Sequence, residues 1–140
     1  AKERGVILSE IKRDKSGVFD GYIKLSVKTA LRTRSIAGTV FSDGKPRFIQ
    51  IKGLNLDAEV GEHMLYTTNK DVPGIIGLLG TILGGHGVNI ANFQLGRDKA
   101  GGDALALFYL DAPVPQTVLE ALRSEPRIAS AKPLHFDVGV

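Results

Sequence analysis

The chain contains neither cysteine nor tryptophan. Without thiols it can form no disulfide, no thiolate metal site and no cysteine nucleophile, which suits a reducing intracellular compartment. Its three histidines, at 63, 86 and 135, follow no recognised metal-ligand spacing, so no bound metal is expected. His63 and His135 are read as strand residues without chemistry, and His86 as a helix C-terminal cation or cap. No apolar run approaches the ~20 residues of a membrane helix. The opening Ala-Lys-Glu-Arg-Gly also lacks the apolar stretch of a signal peptide. The expectation is a cytoplasmic protein with no membrane partner.

Catalytic motifs are missing too. There is no Gly-x-Gly-x-x-Gly, no phosphate loop, no Gly-x-Ser-x-Gly, and no histidine and carboxylate set beside a nucleophile. The chain is read as non-catalytic and without a cofactor of its own. A formal charge of +3 comes from interspersed residues, with Lys12, Arg13 and Lys15 around Asp14 and Arg32 and Arg34 apart from them. A nucleic-acid binder concentrates its charge and interleaves aromatics. Six Phe and three Tyr with no such clustering argue against that partner.

What is present is core material: 43% of the 140 residues are hydrophobic, enough for one ordinary domain or two small ones. Residues 1–5 read as the tail of a helix with Gly5 as its C-cap, and the absence of an initiator Met suggests a piece of something longer. From 6 to 60 the pattern is of short antiparallel strands: Val6 to Ile11, Tyr22 to Thr29, Ser35 to Phe41, Arg47 to Ile51, and a fifth through Leu54 and Leu56. In the second, Ile23, Leu25 and Val27 alternate with Lys24, Ser26 and Lys28, the mark of a sheet with one wet face. Ser42-Asp-Gly-Lys-Pro46 supplies a hairpin turn. With no helix to cover them, these strands form an incomplete domain.

From residue 61 to 140 the order changes. Met64 to Thr68 reads as a strand, and Pro73 as the first turn of a helix, where its missing N–H does no harm. Ile75, Leu78, Leu79, Ile82 and Leu83 give that helix one apolar face. Gly77, Gly80 and Gly84 form a bare stripe suited to close approach of another backbone, and Gly87 ends the helix. Strands at Asn89 to Arg97 and Ala104 to Leu110, a helix opened by Pro115, and a strand at Ile128 to Phe136 complete a βαββαβ, ferredoxin-like, α+β unit. Right-handed crossovers put its first and third strands in the centre and leave Asn89 to Arg97 on an edge.

The candidate site is the turn Asn69-Lys-Asp-Val-Pro-Gly-Ile together with Asn89, three small polar side chains read as gathered at one end of the unit. A helix opened by Pro73 leaves the N–H groups of Gly74, Ile75 and Ile76 free, with about half a positive charge at the tip. A ligand carboxylate suits that tip, and Gly74 leaves it room. Asp71 could receive an ammonium group, and Asn69 and Asn89 each offer a donor and an acceptor. The set matches a zwitterionic amino acid. A plainer reading of the same residues stays open: Asp71 caps the helix, and Asn89 adopts a left-handed backbone or ties down a turn.

These motifs resemble known modules. Asn69-Lys-Asp-Val-Pro-Gly-Ile-Ile-Gly and Gly87-Val-Asn-Ile-Ala are similar to the ligand-binding turn and following strand of an ACT domain over residues 62–138. Ser35-Ile-Ala-Gly-Thr-Val-Phe and Gly44-Lys-Pro-Arg-Phe-Ile-Gln-Ile-Lys-Gly resemble the intervening domain of long-form D-3-phosphoglycerate dehydrogenases. The resemblance implies a partial intervening domain over residues 1–60 and an ACT regulatory domain over 61–140. It also implies an NAD-dependent catalytic portion elsewhere in a parent enzyme of serine biosynthesis, and self-association through the ACT domain. L-Serine would then bind between paired ACT domains, held by Asn69 and Asp71 of one subunit, Asn89 of its neighbour, and the backbone around Pro73, Gly74 and Ile75. Asn69 departs from the family, which often carries an aromatic residue or histidine there. Of a second, basic anion site in some members only Arg47 is matched, with Leu54, Glu59 and Tyr109 at the other positions, so that site is expected to be absent. The alternatives are the regulatory part of an iron–sulfur L-serine dehydratase, which combines similar modules, and a purely structural dimerisation module.

Overall fold

Strand alternation in the first part builds a meander. In a computed structural model that describes residues 7, 21–40 and 44–137, β1 (Ile23–Lys28), β2 (Thr33–Val40), β3 (Pro46–Ile51) and β4 (Leu54–Glu59) form one antiparallel sheet in chain order. The expected helix end before Gly5, the strand Val6 to Ile11 apart from Ile7, the basic residues around Asp14, and Phe41, Ser42 and Asp43 of the next strand and turn lie outside the described residues. The fifth strand expected through Leu54 and Leu56 is β4. It returns from β3 through Lys52 and Gly53, both at positive φ as a two-residue type I′ turn requires.

One expectation for this sheet is not met. Ile23, Leu25 and Val27 were read as the buried face of β1, yet all six residues of β1 are exposed. Among the described residues β1 is an edge strand, and no second layer covers its apolar row.

The second part folds as β5 (His63–Lys70), α1 (Ile75–Gly85), β6 (Ile90–Arg97), β7 (Asp103–Leu110), α2 (Gln116–Arg123) and β8 (Ile128–His135). Its strand order is β6-β7-β5-β8, all antiparallel neighbours. The ferredoxin-like reading holds, with the first and third strands of the unit central and β6 on an edge. Neither helix is long and apolar enough to cross a membrane.

Both faces of this sheet are clad. On one, Ile75, Leu79 and Leu83 of α1 and Val118, Leu119 and Leu122 of α2 pack on Leu65, Ala106 and Phe108. On the other, Met64, Tyr66, Leu105 and Leu107 meet Ile51 and Ala58 of the first sheet, with Phe48, Leu54 and Leu56 beside them. Side chains alternate between faces along a strand, so β5 is buried from Met64 to Asn69 without interruption. The two parts therefore share a core.

The helix boundaries differ from the sequence reading. α1 begins at Ile75, not at Pro73: Gly74 is its N-cap with φ 89°, and Pro73 stands one residue further out, in the preceding turn. A left-handed N-cap re-aims the chain between β5 and the helix, a conformation that L side chains rarely adopt. Pro115 likewise caps α2 from extended backbone rather than opening its first turn. At the far end of α1 the Gly87 N–H donates to Gly84 O and the Val88 N–H to Leu83 O, the paired bonds of a Schellman motif. His86 caps the helix there as expected, its Nδ1 lying 2.8 Å from Ile82 O. The glycine stripe of α1 meets no other backbone among the described residues: a Cβ at Gly77, Gly80 or Gly84 would stand in open space.

Candidate functional site

The tip of α1 is bare. No side chain caps its N-terminus, its first turn carries no acidic residue, and its first helical bond is donated by Leu78 to the Gly74 carbonyl. The N–H groups at the tip are therefore those of Ile75, Ile76 and Gly77, one residue beyond the expected set. Val72, Pro73, Gly74 and Ile76 are all exposed around it. Two observations settle the plainer reading of Asp71: it makes no cap, and its Oδ2 lies 2.5 Å from the Arg97 guanidinium. That ion pair is half in solvent, and pairs of this kind contribute about 0–1 kcal/mol.

Arg97 was not singled out in the sequence. It reaches Asp71 because both Arg97 of β6 and Asn69 of β5 stand opposite Ala104 of β7, which brings the two strand ends level. No local motif announces such a neighbour. The backbone of Asp71 is fixed by the β6–β7 loop, with the Asp71 N–H donating to Gly102 O at 2.8 Å and the Gly101 N–H donating to Asp71 O at 3.0 Å. Asn69 is buried at 8% exposure, and its Nδ2 donates to Lys70 O at 2.6 Å.

Asn89 does not join this group within one chain, contrary to the reading of three polar side chains at one end. β6 runs parallel to β5, so the residue that opens β6 is level with the start of β5: Asn92 and Met64 both face Tyr109. At about 3.3 Å per residue, Asn89 stands roughly 20 Å along the sheet from Asn69. Its Nδ2 donates to Asp111 Oδ2 at 2.6 Å, and its backbone is not left-handed. Of the open readings for Asn89, tying down a turn is the one seen in the single chain.

Two cavities lie nearby. One, of about 440 Å³, sits where the β3–β4 turn meets the second sheet and is lined in part by Lys52, Thr68, Asn69, Lys70, Asp98 and Asp103. Burial, then Arg34, Lys132 and Arg32, push the Lys52 ammonium below its ordinary pKa. Lys70 lies 2.6 Å from Asp103 and, through that hydrogen bond first, holds its carboxyl below the usual range. This cavity touches Asn69 but neither Asp71 nor Gly74, and Leu54 and Leu105 in its lining belong to the cluster on the sheet face turned away from α1, so it is separate from the helix tip. The other, of about 380 Å³, is lined by Arg47, Asp57, Glu59, Asn92, Gln94 and Tyr109. Arg47 faces Asp57 at 3.4 Å and Glu59 at 3.2 Å, a pairing that leaves little unbalanced positive charge for an anion.

Two family models match successive parts of the chain, the first ending before β4. Residues 1–52 match the D-3-phosphoglycerate dehydrogenase intervening domain, and residues 63–127 match the ACT domain. The chain is 34% identical over 133 residues to D-3-phosphoglycerate dehydrogenase of Bacillus subtilis, covering 94% of this chain and 25% of that protein. It is 33% identical to the Synechocystis enzyme of the same name, at 94% and 24% coverage, and 32% identical to that of Archaeoglobus fulgidus, at 87% and 23%. The chain thus spans about a quarter of the length of these relatives. With an intervening-domain segment followed by an ACT domain of the expected strand order, the chain belongs with the C-terminal regulatory region of the D-3-phosphoglycerate dehydrogenases.

Proposed function

We propose that this chain is an amino-acid sensor, binding L-serine between two copies of its ACT domain and passing the bound state to an NAD-dependent D-3-phosphoglycerate dehydrogenase of the cytoplasm. The division at residue 60/61 and the cofactor, NAD, held by the catalytic portion and not by these residues, belong to the same proposal. The observation that carries it is the uncapped, positively polarised N-terminus of α1 with Asn69 and Asp71 beside it. The serine carboxylate would take the N–H groups of Ile75, Ile76 and Gly77 past Pro73 and Gly74. Its ammonium would displace Arg97 from Asp71, and its hydroxyl would meet Asn69.

A second copy completes the site. Asn89 is too far from Asn69 in the same chain, but it lies beside the edge strand β6, whose Phe93 and Leu95 are 40% and 46% exposed. Pairing of two such edges, with the bare Gly77, Gly80 and Gly84 flank of α1 close by, brings one chain's Asn89 toward its partner's helix tip. Binding at the joint favours one arrangement of the pair, and a coupling of about 1–3 kcal/mol changes activity or affinity roughly 5- to 150-fold.

The existing Asp71–Arg97 pair and the exposed edge also favour a second reading, a module that only dimerises its host. Calorimetry with L-serine, run beside sedimentation, separates the two. A sensor gives saturable heat that Asn69→Ala lowers at least tenfold in affinity, whereas a structural module sediments as a dimer and gives none. A monomer without serine heat overturns both.

A further inference from the structure

Glu62 and His63 are neighbours in sequence but far from His135, yet the ligating atoms of all three lie within 4.8 Å of one another. We infer that these three side chains form a binding site for a divalent transition-metal ion of the zinc class. The site is independent of the proposed serine site, since His63 opens β5 whereas Asn69 and the helix tip lie at its other end.

The register of the sheet makes the group. His63 and His135 are direct cross-strand partners of β5 and β8, with ring centroids 5.2 Å apart and planes tilted by 31°. Glu62 precedes His63, and its Oε1 lies 3.7 Å from His63 Nε2. The backbone holds the arrangement: the Phe136 N–H donates to Glu62 O at 3.0 Å, locking the residue after His135 against the one before His63.

Two imidazoles and one carboxylate suit zinc and its neighbours, whereas calcium and magnesium seek oxygen alone. Bonds of about 2.0–2.2 Å at tetrahedral angles put ligand atoms about 3.3–3.5 Å apart, so the present set closes by small side-chain rotations. The His63 side chain is mostly buried and provides a fixed wall, while the exposed Glu62 and His135 are free to turn and leave an open position for water.

The location gives such an ion a task. Glu62 and His63 stand where the chain passes from β4 into β5, and Phe136, next to His135, packs on Phe48 of β3 with ring centroids 6.0 Å apart. An ion held here ties the passage between the sheets to the end of the last strand. It would stiffen the joint between the intervening segment and the ACT domain.

The test is titration of the untagged chain with Zn²⁺ by calorimetry and with Co²⁺ by visible absorption. Expected is one ion per chain with micromolar affinity, a cobalt spectrum with nitrogen-ligand bands, and a higher melting temperature in zinc. His135→Gln and His63→Gln should each weaken zinc at least roughly tenfold and abolish the cobalt bands, Glu62→Gln should weaken it less, and His86→Gln should leave it unchanged. His135 is exposed, so its variant is expected to fold, and circular dichroism checks that it does. Saturable binding absent up to about 1 mM for both ions, or an affinity that neither histidine variant lowers tenfold, overturns the site and leaves only a packed pair of rings.

Discussion

β1 carries three apolar residues in six and β5 three in eight, yet it is β5 that is buried. β5 is buried from Met64 to Asn69 because α1 and α2 cover one face of its sheet and β3 and β4 the other, whereas β1 lies open along its whole length. Alternation in a strand says which side chains share a face. Whether that face is dry depends on a second layer, which no single strand encodes.

The sharpest way to break this contrast is truncation on each side of it. Phe108→Ala, in the fully buried helix-side core, should destabilise the chain by about 3–5 kcal/mol in urea unfolding. Leu25→Ala, on β1, should change stability by less than about 0.5 kcal/mol. A Leu25→Ala loss above ~2 kcal/mol would mean that something covers β1 in solution.

The seam between the sheets gives the next effect. Tyr109 OH donates to Glu59 O at 2.6 Å, joining β7 to β4, and burial, then Glu59 and Asp57, push the phenol up to about 12. The protonated form is the favoured one, so this stabilisation is complete below the ordinary pKa of about 10 and is lost as pH rises from there through the folded value. Tyr109→Phe should lower stability by about 1 kcal/mol at neutral pH. Its stability should also fall less steeply than the parent's above pH 10. Denaturant melts repeated across that range check both, and an unchanged alkaline slope would mean that the seam is wet.

The smallest effect belongs to Thr67, fully buried in β5 with a hydroxyl that has no partner among the described residues. Thr67→Val keeps the shape and removes the orphan, so the unfolding free energy should stay level or rise by up to about 1 kcal/mol. A loss of more than that would reveal a hydrogen bond to water in solution.

Much of this architecture was legible in the residues. Alternation and the 3.6-residue period gave the βαββαβ order, and the handedness of crossovers put β5 and β7 in the middle. The helix tip was readable from Pro73 and Gly74 to within one residue, the error arising because Gly74 rather than Pro73 makes the turn. What escaped notice depends on register between distant strands. Arg97 meets Asp71 through a shared opposite residue on β7, Asn89 is carried away from Asn69 by a parallel crossover, and His63 meets His135 across a ladder that joins residues far apart in the chain. Local spacing carries none of these. The bare stripe of α1 faces open space among the described residues, and no spacing in the sequence names what would cover it.

The most direct measurement mixes two defective chains. One carries Asn69→Ala and Asp71→Ala, the other Asn89→Ala, and L-serine heat is recorded for each alone and for the equimolar mixture after exchange. If the ligand lies between two copies, each variant alone is silent, and the mixture regains about a quarter of the parental sites, one per mixed dimer. Parental serine binding by Asn89→Ala on its own, or a mixture that stays silent while the parent binds, would contradict a site shared between two chains.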